Sequence, residues 1–277
     1  MSFATARSIL FAPGNDEHRL EKALAAGADA VVADLEDAVP AGEKEAARAV
    51  ARRVLAVARP DSMVALRINA VGSDHWESDL HAFAGAELDA FVLPKATPDA
   101  VAALGPEGPP IVAIVETAMG LRQAYETALQ PRVGALVLGA VDLGLELGLE
   151  PRADGQEVIY ARSALVVDSA AAGIRSPFDL VHLDINDDEG LEEEALLARS
   201  LGFRGKVCIH PAQVEIVNRV FSPTREDGDR ARRVVEAYER GLADGRGAVA
   251  LDGEMIDLPV VERARRILAE TERSASE

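Results

Sequence analysis

A chain of 277 residues with 48 % apolar content can bury a large core in one or two domains. Its 29 lysines and arginines against 47 acids leave a formal charge of −18, which argues against nucleic acid or an anionic membrane as the main partner. Cys208 is the single cysteine, so an intrachain disulfide is excluded; with no signal-like or membrane-spanning apolar stretch, a cytoplasmic location is expected.

Arg7-Ser-Ile-Leu-Phe-Ala-Pro13 reads as a first strand closed by Pro13-Gly14, and Asn15 or Asp16 caps a helix that ends at Gly27. Ala30-Val-Val-Ala-Asp34 is a second strand whose carboxyl end turns acidic at Glu36 and Asp37. After Gly42, residues Ala47, Val50, Val54 and Val57 share one helical face, and Pro60 stops that helix. A third strand runs from Val64 to Asn69, a helix starts near Asp74, and Ala90 to Lys95 is a fourth strand. A short helix then leads to the turn cluster between Gly105 and Pro110. Ile111-Val-Ala-Ile-Val115 runs into Glu116 and is apolar on both faces, as in a parallel strand covered by helices. The pattern returns from Ala135 to Asp142, followed by a glycine-rich loop and a helix over about 156–173. Phe178 to Asp184 is a seventh strand, Glu189 to Leu201 a helix with an acidic start, and Lys206 to His210 an eighth strand. A helix through Val214 and Val217 follows. Beyond Ser222-Pro223 come a helix to about Leu242, a turn, the segment around Asp257, and a final amphipathic helix with a frayed Ser-Ala-Ser-Glu end.

Eight strands alternating with helices predict an α/β fold, a (β/α)8 TIM barrel over 1–222, with a C-terminal helical extension or lid over 223–277 that carries Asp257. An open doubly wound sheet shares the same local grammar. The polar residues favour the barrel. Glu36, Arg67, Lys95, Glu116, Asp142, Asp184 and His210 all fall at predicted strand carboxyl ends, and they converge on one face only if the sheet closes.

Glu116 and Asp142 form the sharpest pair, because two oxygen ligands leave room for water and a chelating substrate around Mg2+. The alternative is that each acid caps a helix or pairs with an arginine. The histidines are too scattered to suggest a zinc motif. Arg67 can grip a substrate carboxylate with its planar fork, or pair with Glu36 or Asp37 and prop the site. Lys95 suits a Schiff base only if its pKa is lowered; the surrounding acids favour a charged structural or substrate-binding lysine. His210 reads as a satisfied hydrogen-bonding residue, His182 as barrel interior, Cys208 as packing, and Glu192-Glu-Glu194 as a solvated helix start. On these grounds Asp257 is a turn or cap residue.

Eight short motifs stand in order: Arg7-Ser-x-Leu-Phe-x-Pro-Gly, Asp34-Leu-Glu-Asp-Ala, Leu66-Arg-Ile-Asn, Leu93-Pro-Lys, Glu116-Thr-Ala-x-Gly, Gly139-x-x-Asp142, Gly205-Lys-x-x-Ile-His-Pro and Gly253-x-Met-Ile-Asp-x-Pro. Together they resemble the citrate lyase beta subunit-like branch of the HpcH/HpaI aldolase superfamily, which includes malyl-CoA and citramalyl-CoA lyases. The resemblance implies a (β/α)8 barrel and Mg2+-dependent making or breaking of a carbon–carbon bond. The substrates implied are a 3-hydroxy acyl-CoA thioester and a 2-keto acid such as glyoxylate, pyruvate or oxaloacetate. Mn2+ fits the same ligand types. By position, Glu116 and Asp142 match the metal ligands, and Arg67, Glu116 and Asp37 the substrate-binding groups. Phe11, His18 and Lys22 fall where relatives hold CoA, with His18 standing where some have lysine. Asp257 matches an acid/base that a neighbouring subunit's C-terminal segment supplies, implying a homotrimer or hexamer; Arg67 and Glu36 join it as catalytic candidates. Val141 departs from the family glutamate before the metal aspartate, a change in polarity or specificity around the metal. The alternatives are a CoA-independent 2-keto acid aldolase and a citrate lyase beta-type subunit that needs partners.

Overall fold

The computed structural model describes residues 3, 5–57 and 62–274; Pro60, expected to stop the second helix, and the tail after Ser274 lie outside the described residues. Two compact units result, Met1–Phe221 and Ser222–Glu277.

In the first unit, strands β1 (Ser8–Pro13), β2 (Ala30–Asp34), β3 (Met63–Arg67), β4 (Ala90–Leu93), β5 (Ile111–Val115), β6 (Val133–Leu138) and β7 (Lys206–Cys208) are all parallel, in the order β6-β5-β4-β3-β2-β1-β7. The helices around them are α1 (Glu17–Leu24), α2 (Lys44–Val57), α3 (Trp76–Ala82), α4 (Pro98–Ala103), α5 (Ala118–Arg122), α6 (Ala124–Ala128), α7 (Ala140–Leu147), α8 (Ile159–Ala172), α9 (Asp188–Leu201) and α10 (Ala212–Phe221). Single bridges from Phe178 to Val137 and from Asp179 to Lys206 join the two edges, so the sheet closes into a TIM barrel.

The expected strand from Phe178 to Asp184 therefore shrinks to two bridging residues. Side chains take the carbonyls that a longer ladder would use: Lys206 Nζ donates to Leu180 O at 2.7 Å, and Gln213 Nε2 to His182 O at 2.9 Å. The loop expected after Asp142 is also different. Those residues form α7, ended by Gly148 in the left-handed conformation, with Asp142 in its first turn instead of on the strand.

Strand alternation divides the apolar side chains into two layers. Val31, Ala33, Leu66 and Val115 face outward and pack with Leu20 of α1, Ala47 of α2 and Leu165 of α8. Ala30, Val32, Ala65, Val112, Ile114 and Val137 face inward and fill the barrel. The same period of two carries Asp34, Arg67 and Glu116 onto the inner face at the strands' carboxyl ends. The barrel thus has an oily interior beneath a charged mouth.

A buried ion network sits at the seam. Arg162 of α8 donates Nε and Nη2 to the two carboxylate oxygens of Asp179 at 2.9 and 3.0 Å, and Lys206 Nζ reaches Asp179 Oδ2 at 3.0 Å; all three residues are fully buried. Glu194, expected on a solvated helix start, instead pairs with Arg162 at 2.9 Å and Lys206 at 3.3 Å. His182, expected inside the barrel, places Nδ1 3.0 Å from Glu194 Oε2. Glu192 remains on the exposed side, paired with Arg219.

The second unit contains α11 (Arg225–Ala243), an antiparallel hairpin of β8 (Val249–Leu251) and β9 (Glu254–Ile256), and α12 (Leu258–Ser274). Asp252 and Gly253 both take positive φ, as a two-residue hairpin turn of this twist requires. Ala231, Val234, Tyr238, Ile256 and Val261 make this unit's own small core.

Asp179→Ala should leave Arg162 and Lys206 buried with part of their compensation gone and cost about 3–5 kcal/mol. Urea denaturation of the variant should show it, whereas Glu192→Ala on the exposed pair should leave the midpoint near wild type.

Candidate active site

A cavity of about 460 Å³ opens at the carboxyl ends of the strands, and Phe11, Asp37, Arg67, Glu116 and Asp142 all line it. Of the other residues expected there, Glu36 lies almost fully buried beside Arg67, Lys95 contacts both Glu36 and Glu116, and Asp184 and His210 point elsewhere. Asp184 is exposed on the wall of a different cavity, and exposed His210 uses Nδ1 to accept the Ala212 N–H at 3.3 Å. His18 lines a neighbouring hollow with Arg19, and Lys22 is exposed in the last turn of α1. Asp257 belongs to the second unit, where it precedes α12 and its Oδ1 accepts the Val260 N–H at 3.4 Å.

The site is built around Asp34, which local sequence reading leaves unassigned. Its carboxylate takes four hydrogen bonds: Arg67 Nε at 2.7 Å and Glu36 N at 2.8 Å on Oδ1, and Arg67 Nη2 at 2.5 Å and Ala38 N at 3.2 Å on Oδ2. One buried anion thereby fixes the arginine and the turn that carries Glu36 and Asp37. The register shows why, since Asp34 and Arg67 are direct partners on adjacent strands. Lys44 of α2, also missed, clamps the turn from behind by donating Nζ to Leu35 O at 2.6 Å and Glu36 O at 2.7 Å.

Arg67 is therefore not an open fork. One edge is occupied by Asp34, and Nη1 lies 3.1 Å from Glu36 and 3.5 Å from Asp37. Its guanidinium stands 5.4 Å from the centre of the Phe11 ring. Burial opposes its charge, but Asp34, Glu36 and Asp37 together raise its pKa.

Glu36 and Glu116 are under-compensated by comparison. Burial pushes Glu36 up to about 7, with Arg67 pulling the other way and Asp37 adding to the rise. Glu116 also reaches about 7, chiefly by burial, opposed by the Lys95 N–H and reinforced by Glu36 and Asp142. That N–H meets Glu116 Oε1 at 2.7 Å, aimed by a left-handed turn at Lys95, whose φ is +48°. Burial alone would lower the Lys95 amine; Glu36, Glu116 and Asp37 overcome it and raise the pKa, against the Schiff-base reading.

Gly139 is the other backbone condition. A Cβ there would stand 2.4 Å from Glu116 Cβ and 2.8 Å from its Oε2, so no larger residue fits while Glu116 keeps its place. Gly139 also precedes α7 without a side-chain cap, leaving the first-turn amides of Ala140, Val141 and Asp142 at the cavity wall. The oxygen-only pair Glu116 and Asp142 fits a hard divalent cation, whose charge would offset the burial that lifts Glu116 to about 7. Among the described residues, no group of three or more His, Cys, Asp or Glu side chains is arranged to hold a metal, so water and substrate would complete the shell.

Residues 7–211 match the family model described as HpcH/HpaI aldolase/citrate lyase. The chain belongs to this family. A second model, a C–C bond lyase of the TIM-barrel fold, matches residues 160–272. A (3S)-malyl-CoA thioesterase of Cereibacter sphaeroides is 39 % identical over 275 residues, covering 98 % of this chain and 96 % of the relative. The crystal structure of CitE from Mycobacterium tuberculosis with magnesium, acetoacetate and coenzyme A is 38 % identical with a TM-score of 0.86, covering 98 % of this chain and 100 % of that one. The citrate lyase beta subunit from M. tuberculosis with oxaloacetate and magnesium is 39 % identical with a TM-score of 0.73, covering 80 % and 100 %.

Gly139→Ala should displace Glu116 and weaken Mg2+ binding by calorimetry at least tenfold while the far-ultraviolet circular dichroism stays native. The raised acids also set a pH dependence. Between about pH 4.5 and 7 the unfolded chain releases protons that folded Glu116 retains, so this residue's contribution to stability falls as pH rises. The melting-temperature difference, wild type minus Glu116→Gln, should therefore decline from pH 5 to 7.5 without metal, and added Mg2+ should restore it.

Proposed function

We propose that the protein is a Mg2+-dependent lyase that makes or cleaves a carbon–carbon bond between an acyl-CoA and a 2-keto acid, with a malyl-CoA-type thioester as the joined species. The observation that carries this reading is the charge balance of the mouth. Asp34, Glu36, Asp37, Glu116 and Asp142 face Arg67 and Lys95, and Arg67 is already engaged by three of the acids. An anionic keto acid needs a further positive charge there, and Glu116 with Asp142 are the groups to hold it. The magnesium and ligands named with the CitE structures support the same reading.

When bound, the ion supplies Lewis acidity and a template for the keto acid. Glu116 and Asp142 hold it, and ionisation of Glu116 is the condition for doing so. The first-turn amides of α7 attract the substrate carboxylate at a helix N-terminus. Arg67, fixed by Asp34, places positive charge where the carbonyl oxygen becomes an alkoxide. Glu36 holds Arg67 and Lys95 in place, and Phe11 packs beside the guanidinium. Asp257, from a second unit acting as a lid on a neighbouring subunit in a trimer or hexamer, moves the proton between the hydroxyl and the enolate carbon. His18 and Lys22 flank the path of the CoA moiety. A second reading, hydrolysis of the thioester after condensation, is favoured by the thioesterase relative.

Incubation with Mg2+, acetyl-CoA or propionyl-CoA, and glyoxylate or pyruvate should yield a new acyl-CoA mass that EDTA abolishes. Free CoA appearing in step with that mass would add the hydrolytic reaction. Asp257→Asn should reduce turnover at least a hundredfold with Mg2+ and keto-acid binding intact. Near-normal turnover would remove Asp257 from the mechanism.

A further inference from the structure

Beside the candidate active site lies a larger cavity of about 760 Å³, bounded by α7, the 148–158 loop and the 180–194 segment. The two cavities share Ala140, Val141 and Val181 in their walls. Val141 is half-exposed at this partition and directly precedes Asp142. Leu145, one turn further along α7, and Leu183 across the opening are 83 % and 65 % exposed, an unusual density of bare apolar surface beside a polar mouth.

The charges on the wall decide what this space can take. Seven carboxylates line it against two arginines, so the phosphates of a CoA tail or a second carboxylate would meet repulsion. Arg152 is paired with Asp154. Arg162 is committed through Nε and Nη2 to Asp179 and Glu194, while its Nη1 packs under Gly155, where a Cβ would lie only 2.6 Å away. Arg152 is 60 % exposed in its pair with Asp154, and Arg162 Nη1 is buried without a hydrogen-bond partner, so it is the excess of carboxylates that opposes an added anion. What remains is an apolar wall shared with the mouth and, behind it, a space whose excess of carboxylates opposes added negative charge.

We infer that this cavity extends the substrate pocket and receives an uncharged alkyl substituent of the 2-keto acid, with Val141 and Leu145 setting the length accepted. The inference rests on the lyase reading above for the keto acid's place at the mouth. It adds the substrate class: aliphatic 2-keto acids longer than pyruvate, in preference to dicarboxylic ones of equal length.

The test uses the full chain with Mg2+, acetyl-CoA and the series glyoxylate, pyruvate, 2-oxobutyrate, 2-oxovalerate and 2-oxoglutarate. The wild type should use 2-oxovalerate at least tenfold better in kcat/KM than 2-oxoglutarate, which differs by a terminal carboxylate. Leu145→Trp, at a position that lines the second cavity and not the first, should lower 2-oxovalerate use at least tenfold and leave glyoxylate unchanged. Val141→Ala should raise 2-oxovalerate relative to glyoxylate. Preference for 2-oxoglutarate, or an equal effect of Leu145→Trp on every keto acid, overturns the inference while the lyase reading stands. If no keto acid reacts, the lyase reading fails, and the same comparison is made by calorimetric binding of the keto acids with Mg2+. A changed sedimentation coefficient of Leu145→Trp with unaltered preference assigns the apolar rim to self-association and overturns the inference as well.

Discussion

With one bridge on either side of the 178–179 segment, each carried by two backbone hydrogen bonds, the last gap in the barrel is also held by the Arg162–Asp179–Lys206–Glu194 network. Burial alone would raise the pKa of Asp179, but Lys206 and Arg162 hold it low. Two buried cations meet two anions, so each ion's desolvation is offset within the set, and removing one member exposes the cost of the others. Because side chains close the seam, the chain after Asp179 is released from the sheet. It runs outward through His182 and Leu183 to form the wall of the second cavity. The closure device and the extra space beside the mouth are two results of one short strand.

The mouth follows the opposite rule. Its acids are not matched one to one: Arg67 is shared by Asp34, Glu36 and Asp37, and Lys95 reaches only part of the remainder. Burial lifts Glu36 and Glu116 to about 7 in the same small volume, and the shared cations do not offset it. Groups so placed mark a candidate functional site, since well-packed apolar residues are often at least as stable in such positions. Rigid placement suits a site that captures a cation. Glu116 is fixed by the Lys95 N–H and the bare face of Gly139, and the arginine by Asp34 and Lys44's hold on the adjoining turn.

How much of this was legible in the sequence depends on the range of the force involved. Strands such as Ile111–Val115 and Ala30–Asp34 announce themselves because burial on both faces demands a continuous apolar run. The barrel was readable from polar residues placed after such runs, and Glu116 and Arg67 do lie at the mouth. The 178–184 segment misled because Val181, His182 and Leu183 look strand-like locally, while the groups that take its carbonyls, Lys206 and Gln213, are more than twenty residues away. Glu194 looked like one of three solvated acids because its partners lie on α8 and β7. Among Asp34, Glu36 and Asp37, nothing local singles out the residue that clamps Arg67. The alignment of β2 with β3 does, and period-two counting along both strands is the signal that could have found it.

The net charge of −18 sharpens what the mouth must do. Long-range steering would repel an anionic substrate, and at physiological salt that field decays within about 8 Å. In the proposed reaction, attraction would come from groups inside that distance: the amides at the start of α7, the guanidinium held by Asp34, and a cation held by Glu116 and Asp142. All three depend on backbone placement as well as side-chain identity, through Gly139, Lys95 and the β2–β3 register. The same acidic field reaches the second cavity with no comparable centre to reverse it. Charge therefore separates the two spaces even where they share a wall, and on the proposed reading one would take the carboxylate and carbonyl of a keto acid and the other a substituent that carries no charge.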